Sequence, residues 1–274
     1  MHFLSFVWDP STGFDLGFIT LHYYSLMFVI AFGLGWFIMK RIYVREGIAL
    51  EKLDSIFIYA VVATLIGARL GHVFFYDWDY FQHNLLEIFL PFKFNPFEFT
   101  GFRGLASHGA AVGIIVAMYF YSKKVIQKPL LWVLDRVVIP VACGAIFVRI
   151  GNFFNSEIIG QPTGTDFGVI FTQLGEDFPR HPTQLYEAGA YLIVFLLLWF
   201  IYWKTNKREK QGYLFGLFLV LLWSVRFLVE FIKENQVDFE ETMALNMGQW
   251  LSIPFIILGL YFMFRPKKET PLQA

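Results

Sequence analysis

Seven separate apolar runs, each near the length of a bilayer crossing, constrain this chain more than any motif in it. A spanning helix needs about 20 mostly apolar residues. The runs that qualify are 21–39, 55–76, 106–122, 130–150, 186–203, 213–232 and 248–264. Of the 274 residues, 57% are hydrophobic, 20% aromatic and only 16% charged, against the quarter usual in soluble domains. That leaves too little polar surface to wrap seven apolar helices in water. The sequence predicts an all-α integral membrane protein of about seven transmembrane helices, forming a single transmembrane domain over residues 1–274. The single cysteine, Cys143, excludes an internal disulfide and lies mid-helix, where it reads as a small core residue. No basic n-region precedes the first run, so no cleavable signal peptide is expected.

Charges in the connections orient these helices. Lys40, Arg41, Arg45 and Lys52 lie between the first and second runs, and Lys123, Lys124 and Lys128 between the third and fourth. Lys204, Lys207, Arg208 and Lys210 lie between the fifth and sixth, and Arg265, Lys267 and Lys268 follow the seventh. The alternate connections carry only Lys93, Arg103, Arg180 and Lys233. By the positive-inside rule the N-terminus is outside and the C-terminus cytoplasmic. Connections 77–105 and 151–185 are then both outside.

With that orientation the polar residues of the runs gather at one depth. Tyr24 opens the first run, Arg69 and His72 lie in the outer third of the second, and His108 begins the third. Arg149, Asn152 and Asn155 end the fourth with Glu157 beyond, and Gln184 and Glu187 start the fifth. Arg226 and Glu230 end the sixth, and Gln249 starts the seventh. Asp135 and Arg136, near the inner end of the fourth, are the exception. Any one of these could be an ordinary interfacial residue, an arginine snorkelling to headgroups or an Arg226–Glu230 pair four residues apart. Agreement across all seven helix ends points instead to a polar cavity open to the outer leaflet, since a charge in a bilayer costs a few kcal/mol or more.

Two arginines with asparagines suit a phosphate, which guanidinium grips through bidentate charge-assisted bonds. In an apolar setting the natural phosphate is a phospholipid headgroup. His108, flanked by Gly104, Ala106, Ser107, Gly109 and Ala110, is a candidate general base, or else a histidine bonded between helices. There is no HExxH or Cys/His cluster for a metal, no GxSxG elbow, and no lysine in the last run for a retinal Schiff base. The residues alone leave three readings open: an enzyme acting on a lipid headgroup, a transporter of an anionic lipid or solute, and a membrane scaffold. The scaffold leaves the costly charges unexplained.

The motifs resemble the prolipoprotein diacylglyceryl transferase family. Arg149-Ile-Gly-Asn152-Phe-Phe-Asn155-Ser-Glu157-Ile-Ile-Gly160 resembles its RxGNFxNxExxG signature. His22-Tyr-Tyr24-Ser-Leu-Met27, Gly67-Ala-Arg69-Leu-Gly71-His72, His108-Gly109, His181-Pro-Thr-Gln184-Leu-Tyr186-Glu187, Arg226-Phe-Leu-Val-Glu230-Phe and Met247-Gly-Gln249 are similar to its other blocks, in order over residues 6–264. Ser25, Ser107, Ala110 and Ser156 depart from it, Ser156 standing where glycine is common. The resemblance implies transfer of the diacylglyceryl group of phosphatidylglycerol to the lipobox cysteine thiol of a preprolipoprotein. A thioether forms and glycerol-1-phosphate leaves. It further implies His108 as base, Arg149 and Arg226 as cations for the departing phosphate, and Tyr24, Arg69, Asn152, Asn155, Glu157, Gly160, Gln184, Glu187 and Glu230 as substrate-binding residues. No metal, cofactor or nucleic-acid partner is expected. The partners are phosphatidylglycerol, the lipobox of the signal peptide and membrane lipids. The expected location is the bacterial inner membrane, with the active site near the outer leaflet.

Overall fold

The computed structural model of the chain describes residues 4–11, 13–17, 20–100, 104, 106–234 and 243–266. Arg103, Lys267 and Lys268, counted above among the connection charges, lie outside the described residues. In chain order the elements are strands β1 (Leu4–Trp8), β2 (Gly13–Asp15) and β3 (Thr20–His22), helices α1 (Tyr23–Arg45) and α2 (Leu50–Tyr76), and a short α3 (Trp78–Phe81). There follow β4 (Phe92–Phe94), β5 (Phe97–Phe99), α4 (Ser107–Tyr121) with a π-helical turn Ser122–Ile126, α5 (Leu130–Phe154) and β6 (Phe167–Phe171). The last three helices are α6 (Thr183–Lys204), α7 (Tyr213–Val229) with a 3-10 turn Glu230–Ile232, and α8 (Met247–Phe264). Among the described residues seven of the helices, all but α3, are long and apolar enough to cross a membrane. The expectation of seven crossings is borne out, and the chain is a mostly helical multi-pass membrane protein. Large apolar side chains such as Val29, Phe37, Ile58, Leu65, Ile193 and Ile257 point outward. In lipid, unlike water, that exposure costs nothing, while every backbone polar group still needs a partner, which helices supply internally.

Two compact units divide the chain, Met1–Met39 with Leu134–Ala274, and Lys40–Val133. In the first, α7 and α8 pack backbone to backbone at Gly216 and Gly259, where a methyl on either would strike the other's carbonyl. The buried Asp135 accepts hydrogen bonds from the amides of Gly212 (2.6 Å) and Phe215 (2.9 Å). It therefore satisfies donors that the N-terminus of α7 leaves open, with its charge at the favourable end of the helix dipole. This accounts for the one acidic residue that the polar cluster left out. Beyond the helices, β1 pairs in parallel with β6. The Trp8 indole donates to the carbonyl of Phe153 (3.0 Å), and Phe153, Ile159, Val169 and Phe171 form a small core against Trp8 and Leu185.

In the second unit α2 and α4 meet through Gly67, Gly71, Gly109 and Gly113, with no room for a Cβ at any of the four. The Ala106 amide donates to the Ala68 carbonyl at 2.9 Å. The small residues around His108 thus serve the approach of two backbones. The connection after α2 is held from below by Arg69, which donates to the carbonyls of Ile88 (3.0 Å) and Glu87 (2.6 Å) and lies 4.6 Å from the Phe81 ring centre. The Glu87 carboxylate accepts from the Tyr80 hydroxyl (2.6 Å) and the Phe94 amide (2.9 Å), which holds its pKa below the ordinary carboxylate range.

Candidate functional site

Arg149 and Asn152 stand three residues apart on α5 and therefore share a face. Arg149 Nη1 donates to Asn152 Oδ1 (3.2 Å), and Asn152 Nδ2 donates to Glu157 Oε1 (2.6 Å). Asn155 Nδ2 reaches the same carboxylate oxygen at 3.5 Å. The Tyr24 ring lies against Gly151, where a side chain would collide with it, and its hydroxyl is hydrogen-bonded to Asn152.

Glu157 owes its position to an unusual turn. Ser156 (φ 51°) and Ile158 (φ 58°) both adopt left-handed backbone, at roughly 1–2 kcal/mol each for a residue with a Cβ. The turn persists because α6 holds it. Gln184 Nε2 donates to the Glu157 carbonyl (2.7 Å), Thr183 Oγ1 donates to the Ile158 carbonyl (2.9 Å), and the Glu157 amide donates to the Asn152 carbonyl (3.1 Å). The conformation of Ser156 is one that glycine adopts freely, which explains why glycine suits that position. Gly160 follows, its amide bonded to the His181 carbonyl at 3.0 Å, and a Cβ there would meet His181 and Thr183. Gln184 and Gly160 therefore hold the turn that carries Glu157. Beside them Arg180 is clamped between Glu176 (2.5 Å) and Glu234 (3.0 Å); the hydrogen bonds it donates to Glu176 lead in raising its pKa, so it is a fixed cation of the loop.

At the centre is a chain of alternating charges drawn from α5, α6 and the end of α7. Arg149 Nε pairs with Glu187 Oε2 (2.9 Å), Glu187 Oε1 lies 3.5 Å from Lys233 Nζ, Lys233 Nζ lies 3.1 Å from Glu230 Oε1, and Glu230 Oε1 lies 3.7 Å from Arg226 Nε. Glu187 is wholly buried and Lys233 is 2% exposed, while the arginines at the two ends are 13% and 29% exposed. Tyr191 donates to Glu187 Oε1 (3.4 Å) and Asn246 Nδ2 to Glu230 Oε2 (3.2 Å). Asn246 also caps α8, accepting from the Gln249 amide (2.9 Å) while the Gln249 side chain accepts from the Asn246 amide (3.0 Å).

The two arginines differ in what they have left to offer. Arg149 is engaged by Glu187 and Asn152, with the Tyr191 ring centre 6.0 Å from its guanidinium. Arg226 donates no hydrogen bond among the described residues. Its Nε lies 3.7 Å from the Glu230 carboxylate, and its guanidinium lies 5.6 Å from the Trp223 ring, itself stacked on Phe255. A buried Nε–H without a partner is costly, and an incoming oxyanion would satisfy it.

Tyr24, Arg149, Asn152, Asn155, Glu157, Gly160, Gln184, Glu187, Arg226 and Glu230 thus all belong to the first unit. Arg69 and His108 belong to the second. There Arg69 is buried and bonded to backbone, and His108 is exposed in the first turn of α4 with no hydrogen bond among the described residues. The sequence reading missed Lys233, Tyr191 and Asn246. Lys233 follows Glu230 by three residues and Tyr191 follows Glu187 by four, spacings that place each pair on one helical face and could have flagged both. Among the described residues no group of three or more His, Cys, Asp or Glu side chains is placed to hold a metal.

Curated relatives match this chain along nearly its whole length. It is 43% identical over 274 residues to the phosphatidylglycerol–prolipoprotein diacylglyceryl transferase of Bacteroides fragilis, covering 98% of each protein. It is 40% identical over 267 residues to that of Chloroherpeton thalassium, covering 97% of this chain and 96% of the relative. The Porphyromonas gingivalis protein of the same name is 39% identical over 285 residues, covering 99% of this chain and 97% of the relative. The profile of the family described as prolipoprotein diacylglyceryl transferase matches residues 11–265, and the chain belongs to that family.

Proposed function

We propose that this protein transfers the diacylglyceryl group of phosphatidylglycerol to the lipobox cysteine thiol of preprolipoproteins, the first step of bacterial lipoprotein maturation. The thiolate sulfur attacks the sp³ carbon that carries the phosphate. An S–C bond forms, the C–O bond breaks, and glycerol-1-phosphate leaves with the electron pair. A thiol with a pKa near 8.5 is a weak nucleophile until deprotonated. His108, exposed and unengaged, takes that proton. Arg149 and Arg226 meet the charge that develops on the departing phosphate, as fixed donors aimed at an oxyanion do. Tyr24, Asn152, Asn155 and Glu157 orient Arg149 and the headgroup, and Arg69 is a further substrate-binding residue by the family block that carries it. Bonds and charges balance without a cofactor.

The observation that carries this reading is the idle guanidinium of Arg226 at one end of a buried charge chain whose other end is Arg149. Loop charges support an outside N-terminus, a cytoplasmic C-terminus and a site near the outer leaflet of the bacterial inner membrane, in one membrane domain with lipids around it. The direct test gives the purified protein phosphatidylglycerol micelles and a lipobox peptide, with thioether product and released glycerol phosphate as readouts. His108→Gln should slow transfer by about 10²–10⁴-fold if the ring accepts the proton. A near-wild-type rate in that variant would remove His108 as the base, and lipid movement without any thioether would replace a transferase with a transporter.

A further inference from the structure

We propose that Lys233 is the positioning residue that sets the charge of the buried ion chain behind the phosphate site, making that chain one net positive so that its two arginines take a lipid with a single negative charge, a phosphodiester monoanion. This rests on the function proposed above and names the role of a residue that neither the sequence motifs nor the family blocks contain. Lys233 is almost fully buried, and its ammonium lies 3.1 Å from Glu230 and 3.5 Å from Glu187. Each of those carboxylates in turn holds one arginine. The five-membered chain thus runs plus, minus, plus, minus, plus. Its two ends are the partly exposed arginines, and its sum is one positive charge, the complement of one phosphodiester. Glu157 lies outside this chain, exposed and bonded to Asn152 and Asn155.

Without Lys233 the remaining four charges would cancel, and Glu187 and Glu230 would lose the cation they share. Each carboxylate would then draw more strongly on its arginine, and the arginines would have less to offer a phosphate. Burying charge is tolerable only where pairing is complete, so an uncompensated carboxylate here would be felt at both ends of the chain. Lys233 itself need not touch the lipid. Its effect reaches the phosphate through Arg149 and Arg226.

The test compares wild type, Lys233→Arg, Lys233→Gln and the double variant Glu230→Gln/Lys233→Gln. The readouts are kcat and KM for phosphatidylglycerol in micelles, and binding of the same lipid followed by tryptophan fluorescence near Trp223. Lys233→Gln should raise KM and weaken binding by about 30-fold or more, the loss usual when one partner of a buried charge pair is removed. Its preference for phosphatidylglycerol over zwitterionic phosphatidylethanolamine should fall. Lys233→Arg should retain most of the affinity. The double variant restores one net positive charge and leaves no unpaired carboxylate at that end, so it should bind the lipid better than Lys233→Gln. Should Lys233→Gln fail to fold, the double variant decides alone, because it lacks the stranded carboxylate: affinity within a few-fold of wild type supports the proposal, and a loss as large as 30-fold overturns it. Unchanged KM and binding in Lys233→Gln also overturn it. A wild type that binds phosphatidylglycerol but forms no thioether would refute the transferase reading, and the binding series would still decide the role of Lys233.

Discussion

Replacing each terminal arginine of the charge chain by alanine should separate catalysis from stability. Both guanidiniums are proposed to meet the developing phosphate charge. Losing one such donor costs about 2.7–4 kcal/mol of barrier, or roughly 10²–10³ in rate. The stability effects differ because the surroundings differ. Arg149→Ala strands the wholly buried Glu187, leaving it only Lys233 at 3.5 Å and the Tyr191 hydroxyl at 3.4 Å. Breaking a buried pair in this way costs about 3–5 kcal/mol, and less where a second cation remains. Arg226→Ala removes a pair at 3.7 Å from a side chain that is 29% exposed, while Glu230 keeps Lys233 at 3.1 Å and Asn246 at 3.2 Å. A partly exposed pair this long, whose carboxylate keeps two other partners, contributes on the order of 1 kcal/mol. Arg226→Ala should therefore lose activity at near-wild-type thermal stability, and Arg149→Ala should lose both. Glycerol phosphate release in phosphatidylglycerol micelles and thermal unfolding in the same detergent measure the two quantities. A fully active Arg226→Ala, or an Arg149→Ala as stable as wild type, would refute the reasoning.

Gly160→Ala places a methyl against His181 and Thr183, so it should destabilise by about 1–3 kcal/mol and slow transfer through the displaced start of α6; an unchanged unfolding curve would contradict the packing. The Glu87 carboxyl has a lowered pKa, so its contribution is fully present above the ordinary carboxylate value of about 4.3 and is lost as pH falls through the lower folded value. Limited proteolysis of the 77–100 connection should accordingly speed up in acid below about pH 4.3, and Glu87→Gln should blunt that pH dependence while making the connection more labile at neutral pH. Cys143 is buried within α5 and has no part in the proposed transfer, so Cys143→Ala should keep wild-type transfer, and a large loss of rate in that variant would contradict this.

The crossings were legible because about 20 apolar residues in a row have few other uses. Arg149, Glu187, Arg226 and Glu230 were legible because charge in such runs is costly enough to need a purpose. Burial of Lys233 was not, since a lysine just past a helix end reads as a solvated connection charge. Only the convergence of Glu187 from α6 and Glu230 from the end of α7 makes it an interior ion. Arg69 shows a further gap: its bonds to the carbonyls of Glu87 and Ile88 are partners that no side-chain pattern announces. The left-handed turn at Ser156 and Ile158 was equally hidden, because neither residue favours it and the hydrogen bonds that stabilise it come from Thr183 and Gln184.

The parallel pairing of β1 with β6 constrains how the protein is made. Strands cannot share hydrogen bonds through a bilayer, so residues 4–8 and 167–171 must emerge on the same face. That requires an even number of crossings between them, and α1, α2, α4 and α5 supply four. Translation reaches Phe167 long after Leu4, roughly 8–30 s at 5–20 residues per second. Throughout that interval β1 is an open edge with apolar side chains, waiting while four helices insert. Residues 4–8 thus wait through four insertions for their partner, and a nascent chain halted before β6 would display that edge to whatever factors watch the translocon exit.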